Sequence, residues 1–488
     1  MTAPMTAVPT SMTDTAQTPD TPDTITTLNP ATGAVLAHYP SQSPAQIEQA
    51  VALAHAAALA WGRQPLALRL ATLERLAAAL RAQKDTFAAL VTAEMGKPLA
   101  EAAGEMEKSA VTALYYVAQA PRLLADEPVE IAGMQPPVQA WVAHEPIGLV
   151  LAVMPWNFPV WQVMRFAIPS LAAGNGVLLK HSPNVTGCAL ALQQLFVDAG
   201  FPAHLVTTLV VAEPAVPATI ERLIADDRIA AVTLTGSNRV GAAVGAAAGR
   251  ASKKSVLELG GSDAFIVLDD ADVQAAAAAA VKARFHNAGQ SCVCAKRFIV
   301  SAGVAQAFTD AFVRGTQALV VGDPTDPATQ VGPLARADLR DALARQIAQS
   351  VAAGGQLLAG GQALPGAGCY FAPTVIAGAQ PGMAVFDEET FGPAAAIAVA
   401  QDDVHAQALA NATPFGLSVS VWSGSTERAR QLAQGLTTGA VFINAVTASD
   451  ARLPFGGTKK SGYGRELAAA GLREFCNTRS WWAVGAVA

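Results

Sequence analysis

The sequence has little cysteine, no concentration of positive charge and no long apolar stretch. Each shortage closes off a class of function. Five cysteines (Cys188, Cys292, Cys294, Cys369 and Cys476) in 488 residues are few and odd in number, so reduced thiols are expected rather than a disulfide framework. The Cys292–Cys294 spacing is one residue short of a usual zinc pair and no second Cys/His pair lies nearby, so no metal site is expected. The net charge is -6 and no basic block occurs. That argues against nucleic acid or an anionic membrane surface as the main partner. No apolar run reaches the roughly 18 residues of a membrane span. No Lys or Arg precedes Arg63, which leaves neither the basic region of a secretory signal nor an Arg-rich presequence. The cytoplasm is therefore the expected compartment.

Apolar residues make up 52% of the chain. With 488 residues, that predicts two or three domains with separate cores. Residues 1–24 are rich in Thr, Pro, Met and Ala without a hydrophobic period and read as a disordered tail. Leu66, Leu70, Leu73, Leu76, Ala77 and Leu80 recur at helical spacing, and the pattern continues through 101–116. Apolar runs at 147–153, 176–179, 205–211 and 230–234 read as strands in the first half. Those at 265–268, 298–300, 394–399 and 419–422 do so in the second. Helical stretches separate them, among them 187–198 and 272–282. Buried strands alternating with helices predict an α/β fold with parallel, doubly wound sheets. There is no internal repeat, and the alanine run at 275–280 is helix filler.

Three segments carry chemistry. Residues 285–292 read Phe-His-Asn-Ala-Gly-Gln-Ser-Cys and place Cys292 on a turn between a helix and a strand. Residues 257–261, Leu-Glu-Leu-Gly-Gly, offer Glu258 in an apolar setting that raises a carboxyl pKa toward neutrality. Residues 155–159, Pro-Trp-Asn-Phe-Pro, hold the Asn157 amide on a proline-bracketed loop. Nucleophile, base and oxyanion donor are the parts needed for chemistry at a carbonyl. Each has a plainer reading: a small buried hydrophobe for Cys292, a strand-edge ion pair for Glu258, an Asx turn for Asn157. Lys180 ends a buried strand, where open α/β sheets bind ligands; its plainer reading is a snorkelling lysine. Residues 235–241, Thr-Gly-Ser-Asn-Arg-Val-Gly, follow a strand and open a helix, so Gly236 and the free N–H groups there would face a pyrophosphate.

The three segments, in this order and joined by Pro-Phe-Gly-Gly-Thr-Lys-Lys-Ser-Gly at 454–462, resemble the aldehyde dehydrogenase superfamily from about Leu28 to the C-terminus. The resemblance implies a nucleotide-binding domain (25–130 and 150–258), a catalytic domain (259–445) and a small antiparallel arm (131–149 and 465–488). That arm builds homodimers or homotetramers, and 475–484, with Trp481 and Trp482, is apolar enough to be an interface. It further implies that Cys292 attacks the aldehyde, that Asn157 and the Cys292 N–H stabilise the oxyanion, and that Glu258 activates the water that releases the product. By the same resemblance Lys180 holds the adenosine ribose, Ser237 the phosphate and Glu389 the nicotinamide ribose. Trp156, Gly236, Gly241, Leu259 and Phe391 complete the cofactor site.

Within the superfamily, Trp-Gln-Val-Met-Arg at 161–165, Lys-His-Ser-Pro-Asn at 180–184 and Ser-Asp-Ala-Arg at 449–452 are similar to bacterial NAD(P)-dependent succinate-semialdehyde dehydrogenases. That implies oxidation of succinate semialdehyde to succinate, with Arg165 clamping the distal carboxylate and Ser449 as a second contact. His286 stands where those enzymes carry an arginine; a protonated imidazole would partly replace it. A longer semialdehyde or a broader aldehyde range stays open. A CoA-acylating relative would lack a glutamate at 258, because water must not intercept its thioester. Pro183 replaces the glutamate that NAD-selective relatives use to repel a 2′-phosphate, so NADP stays open. The absence of a Lys or Arg close after Lys180 leans slightly to NAD. Cys294 adds the possibility of a reversible disulfide with Cys292, provided the two Cα atoms lie within about 7 Å.

Overall fold

The computed structural model describes residues 24–134 and 138–485. The tail expected at 1–24 lies outside them except for Thr24, which opens the strand Thr24–Leu28. The apolar runs form two large sheets. The first has six strands, in the order Gly462–Tyr463, Lys254–Glu258, Ile229–Thr235, Leu149–Met154, Gly176–His181 and Val206–Thr208. All neighbours are parallel except the Gly462–Tyr463 edge. The second has seven, in the order Gln356–Ala359, Thr374–Ala377, Ala394–Ala400, Ala295–Ser301, Asp263–Val267, Ser418–Trp422 and Ala440–Ile443. Only its Gln356–Ala359 edge is antiparallel. Strands such as Leu149–Met154 and Asp263–Val267 are apolar on both faces because helices cover both sides of the sheet.

One expected strand is shorter than its apolar run. Of 205–211 only Val206–Thr208 forms a strand, because the Val210 N–H donates to the Gln42 side chain instead of to a neighbouring strand (2.9 Å). A third sheet is antiparallel: Cys476–Val484 pairs along its whole length with Val138–Pro146, which also pairs with Glu127–Val129. Leu149, grouped with the arm in the sequence reading, opens a strand of the six-stranded sheet.

In the six-stranded sheet the strand order reverses beside Leu149–Met154. The next strand in sequence, Gly176–His181, lies on one side of it and Ile229–Thr235 on the other. Ligands bind outside the carboxyl ends of the strands at such a reversal. Trp156 and Asn157, Lys180, and Gly236 with Ser237 all sit at these ends.

The helix Trp161–Ala173, buried along its whole length, is anchored in an unusual way. Its first N–H groups have no cap from their own segment. Glu105, on the helix Leu99–Leu123, accepts them instead: Oε2 takes the N–H of Val160 (3.1 Å) and Trp161 (2.9 Å). A carboxylate there also complements the helix dipole. The other oxygen, Oε1, pairs with the fully buried Lys97, whose ammonium lies 3.7 Å from the centroid of the Phe158 ring. Among the described residues no helix is long and apolar enough to cross a membrane.

Removing one partner of a buried pair leaves an uncompensated charge and costs about 3–5 kcal/mol. Lys97→Met should therefore lower the thermal midpoint measurably more than Arg81→Met, which breaks an exposed pair with Glu107. Equal midpoints in calorimetry would contradict this anchoring role.

Candidate active site

Cys292 lies between the helix Val273–Phe285 and the strand Ala295–Ser301. Asn287, Ala288 and Gly289 run consecutively through left-handed backbone (φ 54°, 52° and 72°). Left-handed alanine is costly, and such strain gathers at functional sites. Glycine at 289 answers a second demand, since a Cβ there would overlap the Gly392 carbonyl. Side chains from outside the loop hold this turn. The Asn287 amide donates to the carbonyls of Asn157 (2.8 Å) and Gln290 (3.0 Å). The Asn287 N–H donates to Glu101 (2.9 Å), and Lys296 Nζ donates to the carbonyls of Ser291 and Cys292, both at 3.0 Å.

The other two segments converge on this loop. The Asn157 side chain is buried and donates to the Gln290 carbonyl (3.1 Å). A primary amide has two N–H donors, so one remains. A Cβ at Gly261 would stand 2.7 Å from the Cys292 carbonyl, so glycine allows the 257–261 run to approach the loop. Both oxygens of Glu258 are buried and find no hydrogen-bond partner among the described residues. Burial raises its pKa well above the usual carboxylate range, Glu466 raises it further, and Arg165 and Arg465 oppose the shift. That unsatisfied carboxylate is a reservoir of basicity.

A cavity of about 550 Å³ opens on the Cys292 thiol and is lined by Trp161, Arg165, Lys108, His286 and Ser449. Cys292 is half-buried among Phe158, Trp161, Phe455 and Leu467. Burial pushes its pKa up to about 12; Arg165 and Lys296 pull it down, while Glu389 and Glu258 raise it. The resting side chain is therefore a neutral thiol at pH 7. Cys294 is buried two residues on, and both sulfurs are free thiols.

The expected substrate contacts are distributed differently from the sequence reading. Arg165 reaches the cavity, but its guanidinium is ion-paired with buried Glu466, donates to Thr235 Oγ1 (3.4 Å) and stacks on Phe455. A structural ion pair therefore describes part of what Arg165 does. Burial first, and then the Lys97, Lys108 and Lys282 cations, push the His286 pKa down to about 4, which disfavours the protonated imidazole expected at 286. The side chain is 45% exposed and lies 3.7 Å from Glu101, and both water and that carboxylate oppose the shift. Ser449 accepts a hydrogen bond from Lys108 (2.6 Å). Lys108, Glu105 and Glu466 are the residues the sequence reading missed. The first two lay in a stretch read only as helix, and Glu466 lies four residues beyond the last segment read.

The crevice at the strand ends fits a dinucleotide. A Cβ on Gly236 would meet only the Leu234 side chain (3.7 Å), so the space above it is open. Ser237 caps the helix Asn238–Arg250, whose remaining first-turn N–H groups suit phosphate. Gly241 lets that helix pack on Leu259, whose side chain a Cβ would meet at 2.5 Å. Lys180 is buried, and burial lowers its pKa to about 8 against the opposing charge of Glu213. Glu389 accepts the Gly261 N–H (3.0 Å) and lies 3.5 Å from Lys296. Phe391 meets Trp156 edge-on with centroids 5.6 Å apart. Arg284 ties the two sides together, donating to the carbonyls of Ala295, Thr390 and Gly392.

Fold and site together define an α/β oxidoreductase that uses NAD(P). The chain belongs to the aldehyde dehydrogenase family, whose model matches residues 17–481. It is 49% identical to the succinate semialdehyde dehydrogenase [NAD(P)+] Sad of Escherichia coli, over 93% of this chain and 97% of that one. It is 47% identical to succinate-semialdehyde dehydrogenase [NADP(+)] 1 of Mycobacterium ulcerans, over 94% and 99%. The solved succinic semialdehyde dehydrogenase of Streptococcus pyogenes, in complex with NADP+, superposes with a TM-score of 0.91 at 35% identity, over 94% of this chain and 100% of that one.

Below its pKa a thiol gains thiolate about tenfold per pH unit. Iodoacetamide should therefore modify Cys292 of the cofactor-free protein ever faster between about pH 7 and about pH 9. A plateau within that range would contradict the raised pKa.

Proposed function

We propose that the protein oxidises succinate semialdehyde to succinate with NAD(P)+. The observation that carries this reading is one cavity holding a thiol at its inner end and basic side chains, Arg165 and Lys108, along its wall. An aldehyde bearing a carboxylate matches both. The relatives named above support the same substrate.

The Cys292 sulfur adds to the aldehyde carbon and its proton passes to water in the cavity, leaving a thiohemiacetal oxyanion. The free Asn157 N–H and the Cys292 backbone N–H stabilise the oxyanion, two donors placed before charge develops. NAD(P)+, when bound, would supply the acceptor for the hydride that this adduct gives up in becoming a thioester. Lys180, Gly236, Ser237 and Glu389 would hold the dinucleotide, with Trp156, Gly241, Leu259 and Phe391 shaping its walls. Glu258, in its ionised form, takes a proton from water, which attacks the thioester and releases the acid. Hydrolysis rather than transfer to CoA follows from a base whose oxygens have no other partner among the described residues. The polar wall of the cavity, with Ser449 and His286, selects the charged substrate over plain aliphatic aldehydes.

For the cofactor we propose dual use. Pro183 places no acid where a 2′-phosphate would sit, while Glu213, whose charge reaches Lys180, weighs toward NAD. We propose also that the antiparallel sheet mediates a cytoplasmic homodimer or homotetramer. Trp481 stacks on Trp141 there, and Trp482 is 56% exposed, which is large for an unpartnered indole.

A panel of charged and uncharged aldehydes, each with NAD+ and NADP+, tests the substrate and cofactor. Succinate semialdehyde should show the highest kcat/KM, and the two cofactors should fall within about tenfold of each other. Cys292→Ala should abolish NAD(P)H formation with the fold intact. Glu258→Gln should preserve the first-turnover burst and slow the steady state by at least about a hundredfold; an unchanged steady state would remove Glu258 from the reaction. Trp482→Asp should reduce the assembly mass in light scattering, and an unchanged mass would place the interface elsewhere.

A further inference from the structure

In the cavity wall Arg165 is the cation the sequence suggests for the substrate's carboxylate, yet its charge is compensated. Buried Glu466 faces it directly, so a second carboxylate at that guanidinium would be the pair's extra negative charge. The His286 pKa is lowered to about 4. Lys97 is already paired with Glu105. Lys108 is different. It lines the same cavity as Cys292, and among the described residues its ammonium has one hydrogen-bond partner, the Ser449 hydroxyl at 2.6 Å. An ammonium has three donors, so two remain for a ligand. The Trp161 ring, with its centroid 4.4 Å away, fixes the Lys108 head by cation–π attraction without using a donor.

We propose that Lys108, with Ser449 beside it, is the receptor for the far carboxylate of the substrate, and that Arg165 positions the inner wall. This rests on the carboxylate-bearing aldehyde proposed above and assigns its specificity to a residue of the helix Leu99–Leu123. The surroundings of Lys108 make its charge conditional. Burial first, with Arg165 and Lys97, lowers its pKa to about 8 against the opposing charges of Glu105 and Asp450. Glu101, Lys282 and His286 line the same cavity, and Asp450 is itself held by Arg452 (2.7 Å). A lysine lowered in this way is charged below its pKa and loses its charge as pH rises through it. In the free enzyme, recognition of a carboxylate should therefore fade above about pH 8. An uncharged aldehyde senses only the chemistry at Cys292, so the ratio of the two kcat/KM values reports the charge of the cavity wall. Burial raises the Glu101 pKa to about 7, so Glu101 titrates there too, and comparison with Lys108→Arg isolates the part that belongs to Lys108.

The test compares succinate semialdehyde with butanal in wild type, Lys108→Met and Lys108→Arg. Lys108→Met should lose at least about tenfold more kcat/KM on the semialdehyde than on butanal, through KM. Lys108→Arg should restore most of the preference. The wild-type ratio should fall between about pH 7 and about pH 9, while that of Lys108→Arg falls much less, because a guanidinium keeps its charge there. A Lys108→Met enzyme that keeps the wild-type preference overturns the assignment and leaves the substrate reading standing. An alkaline fall of equal size in Lys108→Arg overturns it too. A wild type with no preference for the semialdehyde removes the substrate reading and this one with it.

Discussion

Three ionisable side chains, Glu258, Arg165 and Glu466, are held almost out of water beside the half-buried Cys292, and desolvation governs how the site works. In such surroundings a charge is tolerated only when paired or hydrogen-bonded. Arg165 and Glu466 satisfy that rule through each other. Glu258 does not, since both its oxygens lack partners among the described residues, and Cys292 is pushed toward the neutral thiol. The protein thus keeps nucleophile and base in their uncharged forms until the reaction needs them. That protects a thiol which would otherwise be oxidised or alkylated, and it makes ionisation within the site part of the barrier the loaded enzyme must lower.

The fold sustains this arrangement by bringing two sheets to one seam. The six-stranded sheet delivers Asn157, Lys180 and Glu258 at its strand ends, and the seven-stranded sheet delivers the Cys292 loop. The seam closes because a glycine removes a side chain where the backbones meet, Gly261 against the Cys292 carbonyl. Asn287 then locks it by bridging to Asn157. Within the seven-stranded sheet's own side, Gly289 against Gly392 and Arg284 to the Thr390 carbonyl tie the Cys292 loop to the loop that carries Glu389 and Phe391. The buried Lys97–Glu105 pair performs the same service for the helix that carries Arg165. Such pairs contribute more to a defined geometry than to net stability.

Much of this was legible in the residues. Long apolar runs such as 147–153 and 394–399 became strands because their length and continuity leave no other buried form. The four-residue strands Thr374–Ala377 and Ala440–Ile443 were not, since a run that short shows no period. The candidate nucleophile, base and amide stood out because their segments have distinctive glycines and prolines, and the structure brings the three segments together. The wall of the substrate cavity was not. Lys108 and Glu105 sit in a stretch that reads only as helix, and only the packing of that helix against Trp161 reveals that two of its charged residues point inward. Likewise, the lowered pKa of His286 comes first from burial and then from Lys97, Lys108 and Lys282; the burial and the first two lysines come from parts of the chain far from it in sequence, which no local pattern conveys.

The central claim is that Cys292 carries the substrate's acyl group and Glu258 removes it. Mass spectrometry of Glu258→Gln protein, quenched after mixing with succinate semialdehyde and NAD(P)+, tests it most directly. The account predicts one succinyl group per chain, confined to the peptide bearing Cys292. An unmodified Cys292 peptide while NAD(P)H is still being formed would contradict it.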